Sequence, residues 1–358
     1  MNEEWRDFLA RVGADWDGDF VMRFGQPDAE LNAALTGDVC CDLSHLGLIT
    51  ARGPDTEHFL QGQLTCDVRQ VTPEHSLIGA HCNPKGRALA CFRLFRREDG
   101  YALELPQAMV DATLGRLRKY LLMSKSVLEN ASDTLARIGV AGPNAASLLE
   151  SALGAVPEMV NGVIAADNMT AIRLPGLQPR FELHGAAREL GVIWNALAPN
   201  VTPVGAEAWR LLDILSGIPT IYPETVEAFV PQMINLQRLE GISFQKGCYT
   251  GQEIVARTHH LGRIKRRMYL AQVDSPIRPQ PGDLLYSPQA DASQSAGQLA
   301  DACRHPEGGY AVLAVALIEC AEQGVLHLGD SSGPALQVEP LPYDSERVDA
   351  VKSKDASV

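Results

Sequence analysis

The 358-residue chain contains no C-x-x-C pair. Its eight cysteines (Cys40, Cys41, Cys66, Cys82, Cys91, Cys248, Cys303 and Cys320) are scattered, which excludes zinc-ribbon spacing and the disulfide framework of a small secreted scaffold. Reduced thiols of a cytosolic protein fit better. No permanently bound metal is expected, and only a metal or cluster site assembled from residues distant in sequence stays open. Neither G-x-G-x-x-G after a strand nor G-x-x-x-x-G-K-[ST] occurs, so nucleotide binding by either phosphate loop has no support. No apolar run reaches the length of a membrane span. The acidic start Met1-Asn2-Glu3-Glu4 lacks the basic and apolar regions of a secretory signal. A cytoplasmic protein without membrane attachment is expected. Positive charge is also short: 31 Lys and Arg against 44 Asp and Glu give a net charge of -13. That argues against a generally basic nucleic-acid-binding surface, though not a local one.

What is present suits a globular protein, with 46% hydrophobic and 21% charged residues. The length allows one large body or two to three domains. Trp5, Phe8, Leu9 and Val12 predict a short helix over 3–12, with Trp5, Trp16 and Phe20 as packing residues. Leu43 to Ala51 reads as a turn and strand, and Asp55 as the cap of a helix carrying Phe59 and Leu60. Strands are expected over 76–82, 87–95 and 101–105, the middle one apolar on both faces and therefore inner. Pro106 opens a helix marked by Val110, Leu114, Leu117 and Leu121. Further strands lie within 128–140, 163–174 and 180–183, with helices ending at Leu153 and over 206–216. Short strands over 268–273, 284–286, 297–299, 310–317 and 335–338 suit a small barrel or sandwich. Antiparallel sheets faced by helices give an α+β fold.

The most distinctive stretch is Gln245 to Arg257, QKGCYTGQEIVAR. Lys246 stands two residues before Cys248, and a nearby cation stabilises a thiolate. Gly247 and Gly251 allow tight turns or close backbone approach. The residues after Gly251 can start a short helix whose amide end faces the cysteine or an anionic ligand. The bland alternative makes Cys248 a small buried hydrophobe and Lys246 a surface charge. From Arg257 to Arg267 there are further cations, Arg263, Lys265 and Arg266 among them, and no acid. They can meet a carboxylate, a phosphate or an acidic face of the same protein, or simply be solvated.

Lys246-Gly247-Cys248-Tyr249-Thr250-Gly251-Gln252-Glu253, followed by Val255-Ala256-Arg257, resembles the signature of the YgfZ-like folate-binding proteins, relatives of the glycine-cleavage T-protein. Asn83-Pro84-Lys85-Gly86-Arg87 is a second match. The resemblance implies a T-protein-like fold of several subdomains around a central channel, ending in a small β-barrel. It divides the chain into an extension (1–30), a folate-binding core of two intertwined subdomains (31–262), the barrel (263–343) and a polar, mobile tail (344–358). It also implies tetrahydrofolate or a related reduced folate as ligand. Cys248 and Lys246 are the expected reactive pair, and Tyr249, Gln252, Glu253, Arg257, Asn83 and Arg87 the expected cofactor contacts. The stretch Gln61 to Asp67 is expected near the cavity.

The T-protein comparison fails at its acid. The family's strand after the Asn-x-x-Gly turn bears an Asp-Asp pair, whereas this chain has Ala90 and Cys91. A pterin-contacting glutamate is replaced by Leu215. Neither change preserves charge or hydrogen bonding. The resemblance therefore implies a monomeric folate-binding accessory protein that meets iron–sulfur enzymes or their assembly factors transiently and supports their assembly or repair. Its link to tRNA thiomethylation is indirect, without direct nucleic-acid binding. The alternative is a folate-dependent one-carbon transferase acting on an unknown amine. A lone cysteine cannot hold a permanent iron–sulfur cluster.

Overall fold

In the computed structural model, residues 1–344 are described except 167, 261, 263, 291–294 and 324. The expected tail beyond Asp344, and Arg263 of the cationic run, lie outside the described residues. Three sheets carry the fold. The first has five antiparallel strands in the order Leu77–Cys82, Ala88–Arg97, Gly100–Pro106, Leu46–Arg52 and Val127–Asn130. Its second strand is buried over its first eight residues, which agrees with the apolar character of both its faces.

The second sheet has six strands: Val163–Ala166, Met169–Leu174, Arg180–Gly185, Ala136–Ala141, Val39–Asp42 and Thr202–Val204. All pairs are antiparallel except the last, Val39–Asp42 with Thr202–Val204. The N-terminal helix Glu3–Arg11 and the helices Ala145–Leu153 and Ala187–Leu197 cover this sheet. Trp5 is almost wholly buried there, stacks on Phe8 and donates its indole N–H to Asp42 Oδ1 at 2.7 Å. The hydrogen bond satisfies a polar group that burial would otherwise penalise.

The third sheet runs His327–Leu328, Leu284–Tyr286, Gly297–Arg304, Tyr310–Leu317, Arg266–Val273 and Leu336–Glu339. Its two end strands meet: His327 bridges Ala335, and Leu336 N donates to Leu326 O at 2.9 Å. The sheet thus curls into a half-barrel, and its edges are protected by the same closure.

Three local expectations shift. Asp55 does begin the Thr56–Gln61 helix, but its carboxylate accepts from the Lys125 amide at 2.7 Å instead of capping its own turn. After Pro106 the chain makes a 3-10 turn, Gln107–Met109, before the helix Val110–Arg118. The strand foreseen over 297–299 continues to Arg304 through a register shift between Leu299 and Asp301. Such an irregularity re-aims a side chain. Asp301 is buried, receives Arg210 Nε at 2.7 Å and the Tyr222 hydroxyl at 3.0 Å, and so ties the half-barrel to the Ala206–Leu215 helix. Among the described residues no helix is long and apolar enough to cross a membrane.

Candidate functional site

The two signature stretches, far apart in sequence, are in contact. Asn83 Oδ1 accepts from the Lys85 and Arg87 amides at 2.9 and 3.0 Å, and Gly86 N donates to Asn83 O at 2.9 Å. The side chain thereby builds the turn. Gly251 has φ +85°, and a Cβ there would lie 2.4 Å from Asn83 O. Gly86, at φ +68°, would in turn press a Cβ to 2.9 Å from Ile254 Cβ. Glycine is required at both positions by conformation and by space. Gly247 differs: an added Cβ meets nothing within 4 Å, and its φ is not positive. The sharp turn expected there is made by Gly251 instead.

From Gly251 the chain enters the helix Gln252–His260. Gln252 Oε1 accepts from the Tyr249 amide at 3.3 Å, and Val255 O accepts from Gln232 Nε2 at 2.6 Å. Glu253 and Arg257 are exposed and pair with each other at 2.6 Å, one helical turn apart. Arg87 Nη1 donates to Ala228 O at 2.6 Å. Thr250 N reaches Gly62 O at 3.2 Å, which brings the Gln61 to Asp67 stretch against the signature.

Lys246 is turned inward. Its ammonium is buried and donates to the carbonyls of Leu64 and Cys66, both at 2.7 Å, with the Tyr249 ring 5.2 Å away. Burial pulls its pKa down to about 8. Its charge bears on Cys66, whose thiol burial nonetheless pushes up to about 11. The pairing with Cys248 suggested by the K-G-C spacing is not the contact this ammonium makes. Cys248 is exposed, whereas the other seven cysteines are buried. Tyr249 is buried, and its hydroxyl has no hydrogen-bond partner among the described residues. Of the later cations, Arg266 donates to Ser295 O at 3.0 Å and Arg267 lies 4.9 Å over the Tyr269 ring.

A second locus lies between the sheets. One cavity, of about 80 Å³, is lined by Cys91, Arg93, Glu104, Arg180, Glu182 and Asp213 with apolar neighbours. Another, of about 290 Å³, is lined by His45, Arg210, Tyr222, Arg278 and Asp301 among others. They share Leu46, Pro106, Asp213 and Thr220 and therefore adjoin. None of the eight residues expected from the signatures lines either one.

The walls are heavily charged. Arg180 pairs with Asp213 at 2.6 Å, and Arg93 Nε lies 3.8 Å from Glu182 Oε2. Burial, followed by the charge of Glu182, holds the Glu104 carboxyl well above its usual range. Burial pulls His45 down to about 4, with Arg137 and Arg210 adding to it. Cys91 lines the smaller cavity where the T-protein resemblance places an acid, and burial pushes its thiol far up. It is a neutral, weakly polar group at neutral pH. Sequence reasoning missed Glu104, Arg180, Glu182 and Asp213. Their signal was a charged residue flanked by apolar ones within a strand or helix, as Glu104 in YALELP and Glu182 in RFELHG.

The GCVT N-terminal domain family matches residues 22–243. The tRNA-modifying protein YgfZ of Sodalis glossinidius is 34% identical over 90% of this chain and 97% of its own. That of Colwellia psychrerythraea is 32% identical over 87% and 95%. The glycine cleavage system aminomethyltransferase T from Bartonella henselae superposes with a TM-score of 0.72 at 16% identity, covering 96% of this chain and 98% of that one. That likeness fixes the architecture, a T-protein-like α+β fold. By its sequence relatives and its domain match, the chain belongs to the YgfZ family of folate-binding, GCVT-domain proteins.

Proposed function

We propose that this protein holds a reduced folate in the central cavities and acts as an accessory factor for the assembly or repair of iron–sulfur enzymes, without transferring an aminomethyl group. The observation that carries the reading is Cys91. It lines the cavity at the position where the T-protein resemblance puts an acid, and a thiol that burial makes a still weaker acid is a poor replacement for a carboxyl group there. The larger cavity lies at the lower edge of the roughly 300–1,000 Å³ range of ligand pockets. Asp213, which lines both cavities, suits the amino-pyrimidine edge of a pterin, and the part-exposed Arg278 suits an anionic tail. Cys248 is the working thiol on the outer face. Lys246 serves it by fixing the loop to Leu64 and Cys66. The relatives' tRNA-modifying name fits this role indirectly, through iron–sulfur enzymes that thiomethylate tRNA.

Calorimetry with tetrahydrofolate tests the reading. One saturable site per chain is expected, with no product formed from a methylene donor and an amine. Absence of saturable heat removes the folate proposal, and turnover replaces the accessory role with a transferase.

A further inference from the structure

The facing sheets also gather three metal-ligating side chains away from the signatures. Glu104 comes from the Gly100–Pro106 strand. Glu182 and His184 stand two residues apart on the Arg180–Gly185 strand, hence on one face. One donor atom from each lies within 4.8 Å of the others. Their exposures are 4%, 5% and 0%. Both ring nitrogens of His184 have no hydrogen-bond partner among the described residues, while Glu104, its carboxyl held protonated by burial, shares a hydrogen bond with Glu182. Buried polar atoms are normally satisfied, so an unpartnered imidazole beside two carboxyl groups, with one donor atom from each of the three residues drawn together, indicates a ligand. His184 Nδ1 is 3.7 Å from Glu104 Oε2. That exceeds a hydrogen bond but is close to the ~3.4 Å between donors on one tetrahedral ion with bonds of ~2.1 Å.

We propose that Glu104, Glu182 and His184 bind one divalent first-row transition-metal ion that bridges the two sheets. One imidazole nitrogen and two carboxylate oxygens suit Zn²⁺, Mn²⁺ or Fe²⁺, and no thiolate is in the set. Glu104 and Glu182 line the smaller cavity, which supplies an entry path and room for a fourth, exchangeable ligand. Phe95 packs on the His184 ring at 4.7 Å between centroids and fixes its plane. Several guanidinium groups oppose the ion, Arg97 among them through His184 and Arg180 through Glu182. Arg93 Nε is 3.8 Å from Glu182 Oε2, and the charge of Arg137 bears on Glu104.

The site differs from the folate proposal in its ligand and is tested without folate. Full-length protein carrying Cys248→Ser, which removes the exposed thiol, is stripped with chelator and equilibrated with Zn²⁺, Mn²⁺ or Co²⁺. Elemental analysis should find one ion per chain. The Co²⁺ form should show nitrogen- and oxygen-ligand bands without a thiolate charge-transfer band. Glu182→Gln and His184→Gln should each weaken binding by at least about tenfold. Should either variant fail to fold, the Co²⁺ spectrum and stoichiometry of the parent protein decide. No bound ion, a thiolate band, or unchanged binding in folded variants overturns the proposal.

Discussion

The ammonium of Lys246 hydrogen-bonds the backbone carbonyl of Cys66 at 2.7 Å, and that of Leu64 at the same distance. One buried cation thus staples the signature loop to a segment far earlier in the chain. Lys246→Met strips both carbonyls of a donor, an expected loss of about 1–3 kcal/mol in urea denaturation. The folded pKa, about 8, lies below the ordinary 10.5. The unfolded chain then holds the proton to higher pH, so wild-type stability should gain a contribution between about pH 8 and pH 10.5. The variant should lack it, and an identical pH profile would refute the assignment.

Gly251→Ala should destabilise by about 1–3 kcal/mol, because the left-handed backbone and the Asn83 carbonyl both oppose a Cβ. Gly247→Ala, with open space around it, should stay within about 0.5 kcal/mol. Equal midpoints for the two variants would contradict the packing described.

Cys248→Ser should change stability by no more than about 0.5 kcal/mol, since the thiol is exposed. It should fail to restore iron–sulfur enzyme activity in cells lacking the native protein, at normal abundance by blot. Full rescue would strip Cys248 of any role.

His81 is buried with neither ring nitrogen hydrogen-bonded among the described residues, and burial lowers its pKa to about 4. The fold therefore keeps it neutral while the unfolded chain protonates near its ordinary 6.5. Stability should fall as pH drops from about 6.5 to about 4, by up to about 1.4 kcal/mol per pH unit from this group. His81→Gln should flatten that slope by the same amount, as read from denaturation midpoints across the range.

The strand pattern was legible because period-two and apolar runs report burial directly. Tyr310–Leu317 and the inner strand Ala88–Arg97 are examples. The signatures also pointed to one place, where Gly251 meets Asn83. Their relation to the cavity was not legible. Lys246 turns inward to carbonyls, and no spacing rule encodes a partner reached through the fold. Glu104, Glu182 and Asp301 were hidden for a similar reason. Each is a charge between apolar neighbours in a strand, and only the opposing sheet or helix shows what it faces.

The meeting of Gly251 with Asn83 also sets a timetable. During synthesis the Asn83 turn leaves the ribosome roughly 170 residues before its counterpart. At about 5–20 residues per second the turn waits on the order of ten to thirty seconds uncovered. Through that interval a nascent chain shows Gly86 and the start of the inner strand to whatever is nearby. A chain stalled between the two signatures therefore displays a surface that the finished protein covers.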